Sequence, residues 1–575
     1  MRLLKTISDR VCPNPDKLPV ILELDLAKGV ITQQPSSPLA AIKQRHATTL
    51  RDIRAALASA EDDDHVAALV VHIGVAPLPH GDADEVAQAI REFAKPTIAW
   101  SETFGELAGH TVAYRLACAA DEIWLQPTGS VGFTGYHTSM ALFRGVLENV
   151  GIEPDFRQRK EYKAAAETYG AQEISDANRE QTQRVADSLL ERAVDDVARA
   201  RGLEAATVRD LVDQAPVAAE DALEQGLVDH LGYRDEVFTA LRERFGTDDD
   251  IHLTYVNRYA QRQNNTKRIA QLVRGDRPTI AVVTATGPIV LGPTTPAVGQ
   301  TPCGCDTLAG YLRQARHDES VAAVVLRVDS PGGSAVGSDQ IRREILALRE
   351  AGKTVVASMA NVAASGGYFI SMAADAIVAN PSTLTGSIGV LGGKFVLDGL
   401  YDKLGYVTEP ADAGTRAGMW SGRPFTEDEI AVLDRWLDAV YADFTTKAAH
   451  DRGMSLEELE AVARGRVWTG ADALDRGLVD HLGGMRTALS VAAERVGTPL
   501  ADLAVQSFPI MPWLDQLTGA ESSETHASMS GFELGLDGLY AAAAREIGLT
   551  VDGPLSLPVP ITRTVMGPRL RTGQW

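Results

Sequence analysis

A duplication over most of its length is the feature that most constrains how this 575-residue chain can fold. Five segments recur in the same order, each about 250 to 260 residues after its first occurrence. The clearest is GLVDHLG, which occupies residues 226–232 and returns unchanged at residues 477–483. Ordered recurrence at a nearly constant separation indicates two copies of one structural unit. We therefore predict two equivalent domains, 15–247 and 279–495, with a connector at 248–278 and an extension at 496–575.

Each copy alternates short apolar runs with stretches of helical periodicity. Continuous apolar runs of four to eight residues are typical of strands that are buried on both faces of a parallel sheet. The predicted strands lie at 67–73, 97–100 and 122–125 in the first copy, and at 322–328, 354–359 and 376–379 in the second. The pattern predicts an α/β fold in which a parallel sheet is covered by helices, built twice.

Two longer segments have distinct interpretations. Residues 354–374 carry no charge and are long enough to cross a bilayer, yet they are rich in Ala, Ser and Gly, which favours a buried strand, turn and helix. Thr426 and Glu429 form a capping box, and the apolar stripe that follows predicts a long helix packed on the core. A short helix is predicted at 538–547 in the extension.

Composition narrows the function classes. The formal net charge of −22 disfavours nucleic acid as a partner. Four cysteines are too few for a disulfide framework, and Cys303-Gly-Cys305 has no accompanying Cys or His pair, so we expect no metal site. The first residues lack an apolar run of signal-peptide length, so we expect the protein in the cytoplasm or at the cytoplasmic face of the membrane.

The differences between the two copies locate a candidate site. Ser365 is followed by two glycines, whereas its counterpart in the first copy, Thr111, is followed by Val and Ala. A second Gly-Gly pair, Gly332 and Gly333, follows an apolar run and is also missing from the first copy. A small hydroxyl beside glycine turns suits a nucleophile next to an oxyanion hole. The second copy is therefore predicted to hold a nucleophile and half of an oxyanion hole.

The base that such a nucleophile needs is not evident nearby. No histidine lies within 40 residues of Ser365, and His230 and His481 belong to the shared GLVDHLG segment, which favours a structural role. Lys163 has Ala417 as its counterpart, so it is not part of the repeated scaffold. Its spacing also fits an exposed helical residue, and a base lysine would have to be desolvated.

Four segments carry a resemblance to a known family. They are RKEYKAAAE (159–167), VDSPGGS (328–334), MANVAASGGYFIS (359–371) and ANPSTLTGSIGV (379–390). In order and spacing the chain resembles the double-length form of bacterial signal peptide peptidase A, also called protease IV. The resemblance implies a tandem ClpP/crotonase-like fold in which the nucleophile and the base come from different halves.

The same resemblance implies roles for individual residues. Ser365 would be the nucleophile and Lys163 the general base. The N–H groups of Gly332 or Gly333, together with Gly366, would form the oxyanion hole. Ser387 would orient the lysine amine, although Ser130 occupies the same place in the first copy, so the repeat itself does not single Ser387 out.

The implied function is that of a serine endopeptidase that degrades cleaved signal peptides and other hydrophobic peptides without a cofactor. The resemblance further implies a homotetramer, and we expect peripheral contact with the membrane. Two alternatives stay open from the residues alone. One is an acyl-CoA hydratase or thioesterase, because the crotonase fold uses a similar oxyanion hole on thioesters. The other is a non-catalytic scaffold built from the repeat.

Overall fold

The computed structural model describes residues 18–31, 48–74, 78–106, 109–248, 250–263, 277–295 and 301–508. The helix predicted at 538–547 lies outside these residues. The strands of the first half are β1 (Val20–Asp25), β2 (Val30–Ile31), β3 (Thr48–Thr49), β4 (Val66–His72), β5 (Thr97–Ser101), β6 (Glu122–Leu125), β7 (Ser130–Val131), β8 (Glu153–Gln158), β9 (Val217–Ala218), β10 (His230–Leu231) and β11 (His252–Tyr255). Its helices are α1 (Leu50–Glu61), α2 (His80–Arg91), α3 (Thr111–Ala117), α4 (Arg144–Val150), α5 (Glu167–Gly170), α6 (Asp176–Arg201), α7 (Ala205–Gln214), α8 (Ala219–Glu224) and α9 (Arg234–Phe245), with a 3-10 turn at Ala164–Ala166.

The second half repeats this succession. Its strands are β12 (Thr279–Thr286), β13 (Ile289–Val290), β14 (Cys303–Gly304), β15 (Val321–Ser330), β16 (Thr354–Ala364), β17 (Ala376–Ala379), β18 (Leu384–Gly386), β19 (Leu391–Val396), β20 (Val467–Thr469), β21 (His481–Leu482) and β22 (Ala504–Phe508). Its helices are α10 (Cys305–His317), α11 (Ala335–Glu350), α12 (Gly366–Ser371), α13 (Asp398–Leu404), α14 (Glu427–Arg452), α15 (Leu456–Val462), α16 (Gly470–Asp475) and α17 (Met485–Val496), with a 3-10 turn at Leu500–Asp502.

The two main sheets have the same strand order. In the first half the order is β11-β1-β4-β5-β6-β10, and in the second it is β22-β12-β15-β16-β17-β21. All neighbours within these two series are parallel. The second sheet continues through β18, which pairs with the end of β16, to the antiparallel β20. The predicted α/β fold, with two equivalent parallel sheets covered by helices, is confirmed.

Each sheet extends one strand further than the predicted domain boundaries. β11 lies within the predicted connector 248–278, and β22 lies within the predicted extension 496–575. Both strands pair with the first strand of their own sheet, β11 with β1 and β22 with β12. Each sheet therefore reaches past the boundary predicted at 247 or 495. The sequences of these strands, HLTY and AVQSF, contain no continuous apolar run of strand length.

The uncharged segment at 354–374 is a buried strand, turn and helix, as predicted. β16 is buried along nearly its whole length, the chain turns at Ser365, and all six residues of α12 are buried. Among the described helices, none combines the length and the apolar character that a membrane span requires. The long helix predicted from the Thr426 and Glu429 capping box is α14, and both capping hydrogen bonds are present.

The repeated GLVDHLG segment does the same structural work in both halves. Asp229 accepts a hydrogen bond from the N–H of Ile123 at 2.8 Å, and Asp480 accepts one from Ile377 at 2.7 Å. Each aspartate also pairs with an arginine near the end of the long helix, α6 or α14. The motif therefore ties the start of an inner strand to a covering helix, and its histidines lie in the edge strands β10 and β21.

Tyr114 and Tyr368, which occupy equivalent positions, also have equivalent contacts. The Tyr114 hydroxyl donates to the carbonyl of Leu227 at 2.7 Å, and Tyr368 donates to Leu478 at 3.0 Å. Both rings are fully buried in the main core of their half. Tyr368 therefore has the same packing role in the second half as Tyr114 has in the first.

The halves are joined by a two-stranded antiparallel sheet. β8 of the first half pairs with β19 of the second from Glu153 opposite Val396 to Gln158 opposite Leu391. Gly393 has φ +154°, and a Cβ there would lie 2.5 Å from the Cα of Phe156. A glycine is therefore required where the two strands approach most closely. This pairing places the segment that follows β8 against the second half.

Candidate active site

Ser365 lies at the turn between β16 and α12. Its φ is +55° and its ψ is −117°, a conformation that L residues rarely adopt and that costs about 1 to 3 kcal/mol. The conformation is held by the hydrogen bond from the Ser365 N–H to the carbonyl of Gly386, at 2.9 Å. Gly366 and Gly367 follow because added side chains would collide with Ser338 and with the backbone of Ser330, respectively. The sequence thus maintains a strained serine at the end of an inner strand.

The glycine turn after β15 lies against this serine. Gly332 and Gly333 both have positive φ, and a Cβ on Gly332 would lie 2.8 Å from the Cβ of Ser365. A Cβ on Gly366 would lie 3.1 Å from the amide nitrogen of Gly333. The Gly332 N–H donates to the Ser330 hydroxyl at 3.2 Å. Within the described residues, the N–H groups of Gly333 and Gly366 donate to no other protein atom.

Lys163 comes from the first half and enters the second half beside Ser365. It lies five residues after β8 and is only 6% exposed, so the alternative of an exposed helical residue is wrong. Its amine lies 3.0 Å from Ser365 Oγ, 3.0 Å from the carbonyl oxygen of Ser387 and 2.9 Å from Ser387 Oγ. The structure therefore brings these three predicted residues together across the boundary between the halves.

The environment of the lysine favours its neutral form. Burial lowers the pKa of the Lys163 amine from the usual 10.5 to about 7, because desolvation disfavours the charged ammonium. A neutral amine has two N–H donors and one lone pair. The three oxygens within hydrogen-bonding distance fit these groups. The carbonyl and hydroxyl oxygens of Ser387 accept the two N–H bonds, and the lone pair faces the Ser365 hydroxyl.

Two glycines that the sequence analysis did not single out make room for the lysine. A Cβ on Gly465 would lie 2.5 to 2.7 Å from the backbone nitrogen, Cα and Cβ of Lys163. A Cβ on Gly389 would lie 3.1 Å from Lys163 Cδ. Gly465 precedes β20, and the corresponding part of the first half, just before β9, reads Gln214-Ala215-Pro216. Gly465 could have been noticed in the sequence because the glycine is present only in the copy that contains Ser365.

The equivalent positions in the first half are used structurally. Thr111, the counterpart of Ser365, donates its hydroxyl hydrogen bond to the carbonyl of Gly135 at 2.9 Å. Ser130, the counterpart of Ser387, donates to the carbonyl of Gly105 at 2.9 Å. Neither hydroxyl faces a lysine among its hydrogen-bond partners. The repeat could not separate Ser387 from Ser130, but their contacts do.

Cys303 and Cys305 lie beside the glycine turn rather than in a separate site. β14, which begins at Cys303, pairs with β13, and Ile289 of β13 forms a bridge to Gly333. Burial raises the pKa of the Cys303 thiol to about 12, so this thiol is unreactive at neutral pH. Among the residues that the structure describes, no group of three or more His, Cys, Asp or Glu side chains could hold a metal ion.

A buried amine against a strained serine, with glycine N–H groups beside it, is an arrangement suited to a hydrolase that uses a serine nucleophile. Comparison with known proteins agrees. The model of peptidase family S49 matches residues 89–248 and 347–498. The chain belongs to peptidase family S49, and it is a serine peptidase.

Three relatives match both halves. "Serine protease SPPA, chloroplastic" of Arabidopsis thaliana is 34% identical over 80% of this chain and 68% of its own length. "Protease 4" of Salmonella typhi is 32% identical over 78% and 72%, and "Protease 4" of Haemophilus influenzae is 30% identical over 80% and 75%. Among solved structures, a ClpP1 mutant of Listeria monocytogenes aligns with 36% of this chain and 93% of its own, at 16% identity and a TM-score of 0.24.

Proposed function

We propose that Ser365 is the nucleophile and Lys163 the general base of this peptidase. The carrying observation is the 3.0 Å contact between the Lys163 amine, whose pKa burial lowers to about 7, and Ser365 Oγ. As Oγ attacks the scissile carbonyl carbon, its proton passes to the amine lone pair. The resulting ammonium then gives that proton to the leaving amine of the substrate, and an acyl-enzyme remains.

In the proposed mechanism, the oxyanion of the tetrahedral intermediate is bound by the N–H groups of Gly333 and Gly366. Both groups lie next to Ser365, and within the described residues neither has another protein acceptor. Gly332 is the weaker of the two predicted alternatives because its N–H already donates to Ser330. Preorganised donors of this kind contribute about 3 to 4 kcal/mol each to transition-state stabilisation.

Ser387 orients the base in this proposal. Its carbonyl and hydroxyl oxygens accept the two N–H bonds of the neutral amine, so they fix the direction of the lone pair. In deacylation the same lone pair takes a proton from the attacking water, and the acyl bond to Ser365 breaks. Lys163 returns this proton to Ser365 Oγ, which closes the cycle.

The proposed substrates are cleaved signal peptides and other hydrophobic peptides. The support is membership of family S49 and the name SPPA of the Arabidopsis relative, together with the resemblance to signal peptide peptidase A.

The decisive experiment is hydrolysis of a fluorogenic hydrophobic peptide by wild type, Ser365→Ala and Lys163→Ala. Both variants are expected to lose at least about 1,000-fold in kcat/KM, as removal of a nucleophile or its base does. Thr111→Ala is the matched control, because this hydroxyl holds the equivalent place in the first half, and it is expected to keep full activity. Full activity in the lysine variant would refute the dyad.

A serine-directed phosphonate provides a second measurement on the same proteins. It is expected to label wild type and Thr111→Ala on Ser365 and to leave Ser365→Ala unlabelled. Labelling at another serine, with peptide hydrolysis intact in Ser365→Ala, would place the nucleophile elsewhere.

We further propose that copies of the chain assemble into a closed ring, a tetramer by the resemblance. The support is the pairing of β8 with β19, because the counterparts of these strands, residues 406–411 and 134–139, form no strand pair in the described single chain. Leu404, just before the first segment, is 71% exposed, and Val407, within it, is 79% exposed. A strand pair between copies would repeat the junction between the halves. Sedimentation of wild type and Val407→Asp tests this, and a monomeric wild type would exclude it.

For location we propose the cytoplasm or the cytoplasmic face of the membrane. The three cysteines that the structure describes, Cys118, Cys303 and Cys305, are free thiols, as is usual in a reducing compartment. Fractionation of cells that express the tagged chain tests this, and recovery from an extracytoplasmic fraction would contradict it.

A further inference from the structure

One buried glutamine touches the backbone on both sides of the lysine–serine contact. Gln181 lies in the second turn of α6, in the first half, and its side chain is buried. Its Nε2 donates to the carbonyl of Tyr162, the residue directly before Lys163, at 3.2 Å. Its Oε1 accepts a hydrogen bond from the N–H of Val467, in the second half, also at 3.2 Å.

The second of these contacts leads to Ser387. Val467 begins β20 and pairs with Gly386, the residue before Ser387. The carbonyl of Arg466, next to Val467, accepts the Ser387 N–H at 2.7 Å. One side chain therefore holds the peptide that carries the lysine and the strand that positions the acceptor of its amine. These two segments come from different halves of the chain.

The repeat separates this role from ordinary packing. Helices α6 and α14 are equivalent, since each has 26 residues and each ends at a left-handed glycine. Arg201 and Arg452 near their ends make the same contact with an aspartate in both halves, so shared structural roles are retained. At the position of Gln181, α14 has Val432. Like Lys163, the glutamine is present only in the first copy.

We propose that Gln181 is a positioning residue that sets the lysine of the first half in register with the serines of the second. This inference rests on the proposed dyad, because it assigns a function to the position of the Lys163 amine. Without both hydrogen bonds, the buried link between the Tyr162–Lys163 peptide and β20 is lost. The contacts that remain, such as Arg466 over the Tyr162 ring and Arg464 with Glu161, involve longer side chains and fix the two segments less closely. A displacement of about 1 Å at a reacting group can cost about 100-fold in rate.

The test is Gln181→Met in the full-length protein, which keeps the length of the side chain. It removes both hydrogen bonds, together with the one that Nε2 donates to Asn178 Oδ1 in the same helix at 3.2 Å. We expect kcat on a hydrophobic peptide to fall about 10- to 100-fold, with KM changed less than about 2-fold, since the substrate is not contacted. Gln183→Met is the matched control. Gln183 lies on the exposed face of the same helix. Among the described residues its side chain bonds to Asp187 alone, and its variant is expected to behave like wild type.

The pH profile distinguishes positioning from a general loss of structure. Activity requires the neutral amine, so kcat rises with pH through the pKa of Lys163. A loosened segment admits water, which moves this pKa back toward its ordinary value. The acid limb of Gln181→Met should therefore lie at higher pH than that of wild type. Should this variant not fold, Gln181→Leu also removes both hydrogen bonds, adds no charge near Lys163 and should show the same direction of change.

The outcomes separate the two proposals. A folded Gln181→Met or Gln181→Leu protein with wild-type kcat and an unmoved acid limb would overturn the positioning role, even when Lys163→Ala is inactive. An equal loss in Gln183→Met would also overturn it, because the effect would then belong to the helix and not to the bridge. Activity that survives in Lys163→Ala would refute the dyad itself.

Discussion

Replacing Lys163 by methionine should make the protein more stable at neutral pH while it abolishes activity. Burial lowers the pKa of this amine from 10.5 to about 7. Keeping it neutral at pH 7 costs about 4 kcal/mol relative to the unfolded chain, at about 1.4 kcal/mol for each pH unit. Methionine avoids this cost but loses three hydrogen bonds, worth about 1 kcal/mol each. The expected net gain is about 1 to 2 kcal/mol at pH 7.

The sign of the effect should change with pH, which makes the prediction easy to refute. Between pH 7 and 10.5 the unfolded chain binds a proton at this lysine that the folded chain does not, so wild type becomes more stable as pH rises. Above pH 10.5 the cost is gone, and the methionine variant should be less stable by about 2 to 3 kcal/mol, the worth of the lost hydrogen bonds.

Urea-induced unfolding of wild type and Lys163→Met at pH 6, 8 and 10 measures this difference. Lys160→Met is the control, since that ammonium is partly exposed and pairs with Glu460 at 2.6 Å. A stability difference for Lys163→Met that stays constant from pH 6 to pH 10 would show that the lysine is not held neutral in the folded protein.

Three further results are expected. The wild-type kcat should rise with pH through an acid limb near pH 7, where the Lys163 amine loses its proton, and a flat profile from pH 5 to 9 would contradict this. Gly465→Ala should lower kcat at least about 100-fold, because its Cβ would lie 2.5 Å from the backbone nitrogen of Lys163. Gly453→Ala, which also has positive φ but has no atom within 4 Å of its Cβ, should keep its activity. Asp82→Asn should stabilise the protein at pH 8 by up to about 4 kcal/mol and by progressively less toward pH 4, because burial raises the pKa of Asp82 to about 7. A gain in urea unfolding that does not depend on pH would contradict this.

Much of the fold could be predicted from the sequence because the duplication shows the same alternation of apolar runs and helical stretches twice. Two of the inner strands, 122–125 and 376–379, match their predicted bounds, and the others begin within one residue of them. The edge strands β11 and β22 were missed. Strands at a sheet edge are buried on one side only, so they lack the continuous apolar run that marks an inner strand.

The candidate site was predictable where local chemistry dictates the residue. Ser365 and its glycines stand out because a strained turn packed against another backbone leaves little choice of residue. The surroundings of Lys163 were not predictable from spacing, because its burial depends on a strand pair between segments more than 200 residues apart. Gln181 and Gly465 act through the same contact between halves, so only their absence from the other copy could have indicated them.

The strand pair between the halves also bears on how the chain is made. β8 is complete in the nascent chain long before its partner β19, because residues 159–390 must be synthesised in between. At ordinary rates of translation this takes about 10 to 50 s, during which β8 has an open edge. Open edges invite pairing with other chains, and proline and charged residues discourage it.

The sequence of β8, EPDFRQ, contains one proline and three charged residues among six. Pairing of β8 with other chains is therefore disfavoured while the second half is still being translated. The composition of β8, the strand that leads to Lys163, thus limits aggregation before β19 is made and still allows the two strands to pair. Apolar replacements of Pro154 and Asp155 should therefore lower the yield during expression more than they lower the stability of the folded protein.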